Sequence, residues 1–294
     1  MPQAHAPGGP LPGTTTWGRG VLSRVMRPDP APELAGTLAR SYAELPEVEG
    51  VALGGSRATG VADGASDVDL YVYARGEVPL ARRAEVARAR AEKPELDHRA
   101  FEPGDEWEER ETHLHVDVMF RSLGFIEDEL DRVLVRHEAR VGYSTCLWHN
   151  VRTSVPLFDR AGWLAGLAAR AAAPYPEPLR RAIVAKNLPL LLRNLSSFHH
   201  QLQRAQERGD AVAVNHRISA FLASAFDVLF ALNRVPHPGE KRLLEAVLRD
   251  CPVRPFGFEE DVTELAAGGP GSASAAESLA VDLEGVALAQ GFAP

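Results

Sequence analysis

Cysteine is almost missing from this chain. The two present, Cys146 and Cys251, lie far apart and neither belongs to a C-x-x-C pair, which excludes a disulfide framework and a structural zinc site and points to a reducing compartment. Long apolar runs are missing too. The most membrane-like stretch, Ser219 to Leu232, is short and interrupted by Asp227, and the first thirty residues hold Pro and Gly clusters but no apolar signal core. A soluble cytoplasmic protein with no membrane partner is expected. Positive charge is also short: 32 Lys and Arg stand against 40 Asp and Glu, a formal net of −8 with a pI near 5.7. That balance disfavours an extended phosphate-tracking surface, so no DNA partner is expected. What remains is ordinary for a folded protein: 294 residues, 45% hydrophobic and 24% charged, enough for a full core.

The chain divides by composition. Residues 1–30 read as a loosely ordered leader. Residues 31–123 carry the strand-like runs: a helix from Pro32 to Glu44, a strand from Val48 to Leu53 entering Gly54-Gly55, a second strand from Val68 to Tyr73, a charged helix from Leu80 to Ala91, and a third strand from His113 to Phe120. Residues 124–265 are rich in Leu and Ala and read as successive helices near 125–137, 161–172, 178–195, 211–233 and 240–249. In the fourth of these, Val214, Ile218, Phe221, Leu222, Ala225, Leu229 and Leu232 follow helical spacing and predict core packing. Residues 266–294 read as an Ala/Gly/Ser linker and a terminal helix from about Leu279 to Ala289. The fold class is therefore α+β: a small mixed sheet with flanking helices, followed by a C-terminal helical bundle.

One constellation carries chemistry. Gly54-Gly55-Ser56-Arg57 follows the first strand, and after a ten-residue interval from Ser56 comes Asp67-Val68-Asp69 at the mouth of the second. Asp67 and Asp69 are two apart, so in an extended chain both carboxylates face the same way. Like charges placed side by side repel and lose hydration, and something positive should sit between them. Asp117 lies inside the otherwise apolar run Val116-Asp117-Val118-Met119-Phe120, where a carboxylate has no packing purpose. Three acids on adjacent strands can hold two Mg²⁺ ions roughly 3.5–4 Å apart, the clamp for phosphoryl transfer. The Gly-Gly-Ser turn lets backbone N–H groups and the Ser56 hydroxyl approach phosphate oxygens without Cβ interference.

These residues resemble the nucleotidyltransferase superfamily, which includes DNA polymerase beta, poly(A) polymerases and the aminoglycoside and lincosamide nucleotidyltransferases. The shared pattern is a hydrophobic residue, Gly, then Gly or Ser, an interval, Asp-hydrophobic-Asp, and a later acid on a neighbouring strand. Leu53-Gly54-Gly55-Ser56, Asp67-Val68-Asp69 and Asp117 match it in order, over roughly residues 48–122. The helical remainder is similar to the second domain of the small antibiotic-modifying members. The resemblance implies that Asp67 and Asp69 bind both metals, and that Asp117 binds the catalytic one and helps activate an acceptor hydroxyl. It further implies that Gly55 and Ser56 hold the triphosphate of an NTP, most often ATP. The expected reaction places a nucleoside monophosphate on a small-molecule hydroxyl and releases pyrophosphate. Dimers are common among the small members, which extends the expectation to a homodimer.

Other signals are weaker. Arg57 either binds the triphosphate or anchors the turn, and Lys241, after a Pro-Gly turn, either reaches a phosphate or is a surface lysine. His113, His115 and Asp117 alternate and would share one strand face, superficially a transition-metal set, though lining the cleft suits the histidines better. Glu102, Glu106, Glu108, Glu109 and Glu111 precede the third strand, and spacing does not choose a general base among them. A solvated acidic loop is the favoured reading there. His199-His200 reads as a solvated helix face. A protein or RNA acceptor and a non-catalytic nucleotide sensor are the alternatives, with Arg180, Arg181, Lys186 and Arg193 as the basic residues an RNA would need.

Overall fold

The second strand reads Val-Asp-Leu-Tyr-Val-Tyr-Ala, apolar at nearly every position, and such a strand must be covered on both faces. The computed structural model, which describes residues 29–64, 66–99 and 102–292, shows how it is covered. The expected leader lies outside those residues, apart from Asp29 and Pro30. The described chain runs α1 (Ala31–Ala43), β1 (Val48–Leu53), α2 (Gly55–Thr59), β2 (Val68–Ala74), α3 (Leu80–Arg88), β3 (Glu95–His98), β4 (Gly104–Glu108) and β5 (His115–Ser122). It continues with α4 (Leu123–Leu134), α5 (Cys146–Thr153), β6 (Val155–Asp159), α6 (Trp163–Ala171), α7 (Glu177–Leu191), α8 (Phe198–Glu207), α9 (Ala211–Leu232), α10 (Leu243–Asp250), α11 (Phe258–Ala266) and α12 (Ser272–Ala289).

The strands form one six-stranded sheet in the order β3-β4-β5-β2-β1-β6. Only β2 and β5 are parallel; the remaining pairs are antiparallel. Leu38 and Tyr42 of α1 join Val51, Leu70, Val72, Val116 and Val118 in a core on one face. On the other face Ala52, Tyr71 and Tyr73 pack with Ile126, Trp148 and Leu164 into the core that continues through the helical half. The sheet is mixed, as the expected fold class has it, and the C-terminal part is helical, as composition predicts.

The structure differs from the sequence reading in several places. Part of the glutamate-rich segment before β5 is no solvated loop: residues 104–108 are β4 of the β3-β4 hairpin, because Asp105 and Trp107 alternate inward and supply the buried face that Glu and Gly residues conceal, while Glu108 and Glu111 are exposed as expected. The expected division near residue 124 does not close the sheet: β6 returns from beyond it to pair with β1. Residues 272–278, expected as linker, are the first turns of α12, where Ser272, Ala275, Ala276 and Leu279 are buried. Small side chains there permit close packing against neighbouring helices, which composition alone reads as flexibility. Helix α9 is the centre of the helical half. Its first turns bury one stripe and Ser224–Leu232 are buried all round. Leu222 is only partly buried, whereas the other spaced apolar residues of the helix are core.

No described helix is long and apolar enough to cross a membrane. Both cysteines are free.

Candidate active site

The turn between β1 and β2 is set by two glycines with separate steric reasons. A Cβ on Gly54 would meet the Tyr71 ring at 2.4 Å, and a Cβ on Gly55 would lie 1.8 Å from Asp69 Oδ2. Gly55 also has φ +61°, which L side chains rarely adopt. The Gly54 N–H donates to the Asp69 carbonyl at 2.8 Å, so the turn is stitched to the strand that carries the carboxylate. The short helix α2 then begins. The first N–H groups of a helix have no intrahelical partner, so those of Gly55 and Ser56 are uncommitted to the helix, and Gly55 itself stands against the Asp69 carboxylate.

Arg57 is the clamp on this turn. Its side chain is 6% exposed. Nε donates to the carbonyls of Ser66 (3.1 Å) and Asp67 (2.9 Å), Nη2 to Ser66 O (2.6 Å), and Nη1 pairs with Asp29 at 2.8 Å. Two nitrogens therefore hold the loop that delivers Asp67 and the third ties it to Asp29, which is the second of the two roles the sequence left open.

The parallel pairing of β2 and β5 puts Asp69 directly opposite Asp117, and the antiparallel pairing of β4 and β5 puts Glu106 opposite Asp117 on the other side. One row therefore crosses three strands: Asp69, Asp117, Glu106. Asp67 sits just ahead of β2. Among the described residues, no arginine or lysine forms an ion pair with any of these four acids. Burial raises the Asp69 carboxyl above its ordinary range and repulsion by Asp67 adds to it, opposed by the charges of Lys241, His115 and Arg57. Burial, with repulsion by Glu106 and Asp69, likewise pushes Asp117 up to about 6. Asp117 Oδ1 is buried without a hydrogen-bond partner. Clustered carboxylates without an arginine or lysine ion pair among the described residues, one carrying an orphaned oxygen, are a donor set suited to hard divalent cations.

Of the five glutamates before β5, the structure separates the one that reaches this row. Glu102 accepts from Arg121 Nε at 2.7 Å and Nη2 at 2.8 Å, Glu108 pairs with His113 at 2.8 Å, and Glu109 accepts from the Glu111 and Thr112 N–H groups to hold a turn. Glu111 is exposed. Glu106 alone faces Asp117. The expectation that His113, His115 and Asp117 share a face is corrected: β5 begins at His115, and His113 sits in the preceding turn with φ +57°. His115 Nε2 does approach Glu106, at 3.8 Å. His98, which the sequence reading passed over, lies on the same side at 3.4 Å from Glu106 Oε1. Alternating Glu106-x-Glu108, which pairs in register with alternating His115-x-Asp117, was the signal available.

Lys241 is exposed on the loop before α10, not at its start. The following residue ties that loop to the turn: Arg242 Nη1 donates to Val61 O at 2.8 Å and Nη2 pairs with Asp63 at 2.7 Å. Lys241 is thereby brought where its charge acts on Asp69. His199 is buried at 6% exposure, where burial holds its imidazole below the ordinary value, so the solvated-face expectation fails for it.

Residues 37–139 match the nucleotidyltransferase domain family, and residues 144–243 match the domain of unknown function DUF4037. No curated protein matches the chain. Among solved structures, a nucleotidyltransferase-like protein from Exiguobacterium sibiricum is similar over 88% of this chain and 75% of its own, with 16% identity and a TM-score of 0.42. A CCA-adding enzyme in complex with ATP is similar over 89% of this chain and 82% of its own, with 14% identity and a TM-score of 0.32.

Proposed function

We propose, from the premise that residues 37–139 are a nucleotidyltransferase domain and the chain a nucleotidyltransferase, that it transfers AMP from ATP to a hydroxyl of a small cationic molecule, with divalent metal as cofactor. The observation that carries this reading is the in-register pair Asp69–Asp117 on parallel strands, backed by a turn in which only glycine clears the Asp69 carboxylate.

Asp67, Asp69 and Asp117 would hold the metal, Mg²⁺ being the hard cation that suits an all-oxygen set with phosphates. When bound, such an ion neutralises charge developing on the phosphoryl oxygens. The chain's own residues do the rest. Gly55 and Ser56 present backbone N–H groups and the Ser56 hydroxyl to the triphosphate, while Arg57 holds the loop so that Asp67 and the turn keep their relation. Lys241 supplies a positive charge from the helical side. Asp117, whose carboxyl burial and neighbouring acids push up to about 6, stands ready to accept the acceptor's hydroxyl proton. The acceptor oxygen forms a bond to the α-phosphorus as the bond to the bridging β-phosphate oxygen breaks, and pyrophosphate leaves with that electron pair.

Charge supports a cationic acceptor. Asp67, Asp69, Glu106 and Asp117, without arginine or lysine ion pairs among the described residues, form a cation-attracting face, and the net −8 agrees in sign. The basic residues an RNA acceptor would need are mostly spent: Arg180 and Arg181 pair with Glu177, and Arg193 with Glu284. Aminoglycoside-like amino sugars fit the description. A pyrophosphate-release screen of each NTP with Mg²⁺ against aminoglycosides, lincosamides and tRNA tests it. Turnover with ATP and a polycationic sugar is expected; turnover with tRNA alone would replace the acceptor assignment, and nucleotide binding without turnover on any acceptor would favour the sensor alternative.

A further inference from the structure

The carboxylate row does not stop at Glu106. His98 on β3 pairs with Gly104 across the β3-β4 ladder, and a Cβ on Gly104 would lie 2.6 Å from His98 Nε2 and 2.8 Å from Cε1. The missing side chain at Gly104 is what admits the ring over β4 and toward the row. His98 Nε2, a Glu106 carboxylate oxygen and an Asp117 carboxylate oxygen all lie within 4.8 Å of one another. His98 Nε2 reaches Glu106 Oε1 at 3.4 Å without hydrogen-bond geometry, and both this nitrogen and Asp117 Oδ1 are buried with no hydrogen-bond partner. Two orphaned polar atoms, within a group of side chains that converge from three strands, call for a shared ligand.

We infer that His98, Glu106 and Asp117 form a site for one divalent transition-metal ion of the Mn²⁺ or Zn²⁺ class, occupied without nucleotide. One imidazole nitrogen with two carboxylates suits such ions, while Mg²⁺ prefers oxygen and keeps its waters. The site lies on the side of Asp117 away from Asp69, because β4 and β2 flank β5. It shares Asp117 with the proposed nucleotide-metal set but does not include Asp67. This inference goes beyond the reaction assigned above and requires neither ATP nor an acceptor.

The test is a Mn²⁺ titration of the untagged, chelator-stripped full chain without nucleotide, followed by electron paramagnetic resonance. One bound Mn²⁺ per chain is expected, displaced by equimolar Zn²⁺ and not by the same amount of Mg²⁺. Its spin-echo modulation should show one directly bound imidazole nitrogen in the wild-type protein, a readout that needs no variant. His98→Gln and Glu106→Gln should each weaken Mn²⁺ binding by more than about tenfold. Asp67→Asn should leave Mn²⁺ binding unchanged and act only on ATP-dependent pyrophosphate release, which separates failure of this site from failure of the nucleotide-metal assignment. Absence of the nitrogen signal, Mn²⁺ binding unaffected by His98→Gln and Glu106→Gln, or binding lost with Asp67→Asn would each overturn the proposal.

Discussion

Two neighbouring acids on β4 face opposite sides of the sheet and meet opposite fates. Asp105 points into the α3 side, is fully buried, and accepts from Arg83 Nε at 3.0 Å and from the Asp97 N–H at 2.9 Å. Glu106 points to the other side, into a row with Asp117 and Asp69 where no arginine or lysine forms an ion pair. The helical half follows the first pattern: Glu129 pairs with Arg132 and Arg140, and Asp227 accepts from the Ser144 N–H (3.0 Å) and hydroxyl (2.6 Å). Where this chain buries a carboxylate for structure, it supplies the partner. A row of acids that among the described residues has no arginine or lysine ion pair, and in which Asp117 Oδ1 lacks even a hydrogen-bond donor, is suited to a charge that comes from outside the chain.

The comparison can be broken by substitution. The largest effect is expected on the paired side. Asp105→Ala strands the Arg83 guanidinium, 4% exposed, and should cost about 3–5 kcal/mol in urea unfolding. A loss below about 1 kcal/mol would mean the pairing is not what holds β4 to α3. On the unpaired side, Asp69→Asn should lower pyrophosphate release by about 10²–10³-fold while leaving the metal-free protein at least as stable as wild type, since it removes a repelled, buried charge. Gly55→Ala comes next. Its Cβ overlaps Asp69 Oδ2 and its backbone sits at φ +61°, so about 1–2 kcal/mol of stability and about 10²-fold of activity should be lost.

The smallest effect sharpens the comparison through pH. Burial pushes the Asp227 carboxyl up to about 6 despite its hydrogen bonds, from an ordinary 3.8. The folded state then holds the proton in a window where the unfolded state has released it, so this group's contribution is greatest below about 4 and declines as pH rises toward 6. The stability of wild type relative to Asp227→Asn should fall across that window with a slope no steeper than about 1.4 kcal/mol per pH unit, measured by thermal melts. A difference that rises with pH would contradict the buried, proton-holding assignment.

How much of this was legible in the sequence differs by element. β1, β2 and α9 declared themselves because their burial pattern is a local property of their apolar residues. The β3-β4 hairpin did not, since its inward side chains are one Asp and one Trp among glutamates and the pairing that buries Asp105 comes from Arg83, distant in the chain. β6 was hidden because a short edge strand between helices has no periodicity to show. For the site, Gly55, Asp67, Asp69 and Asp117 form a spaced pattern within one stretch of chain. Glu106 and His98 become neighbours of Asp117 only through strand register, and Lys241 only through the Arg242 contacts to Val61 and Asp63.

A carboxylate row that serves an external cation and not the fold should reveal itself in stability. Thermal melting of wild type and Asp69→Asn, each with and without Mg²⁺ and ATP, measures both parts at once. The expected result is a variant that melts no lower than wild type when both are metal-free, with a ligand-dependent rise in wild type alone. A variant that melts lower without metal, yet rises with Mg²⁺ and ATP as much as wild type does, would contradict it.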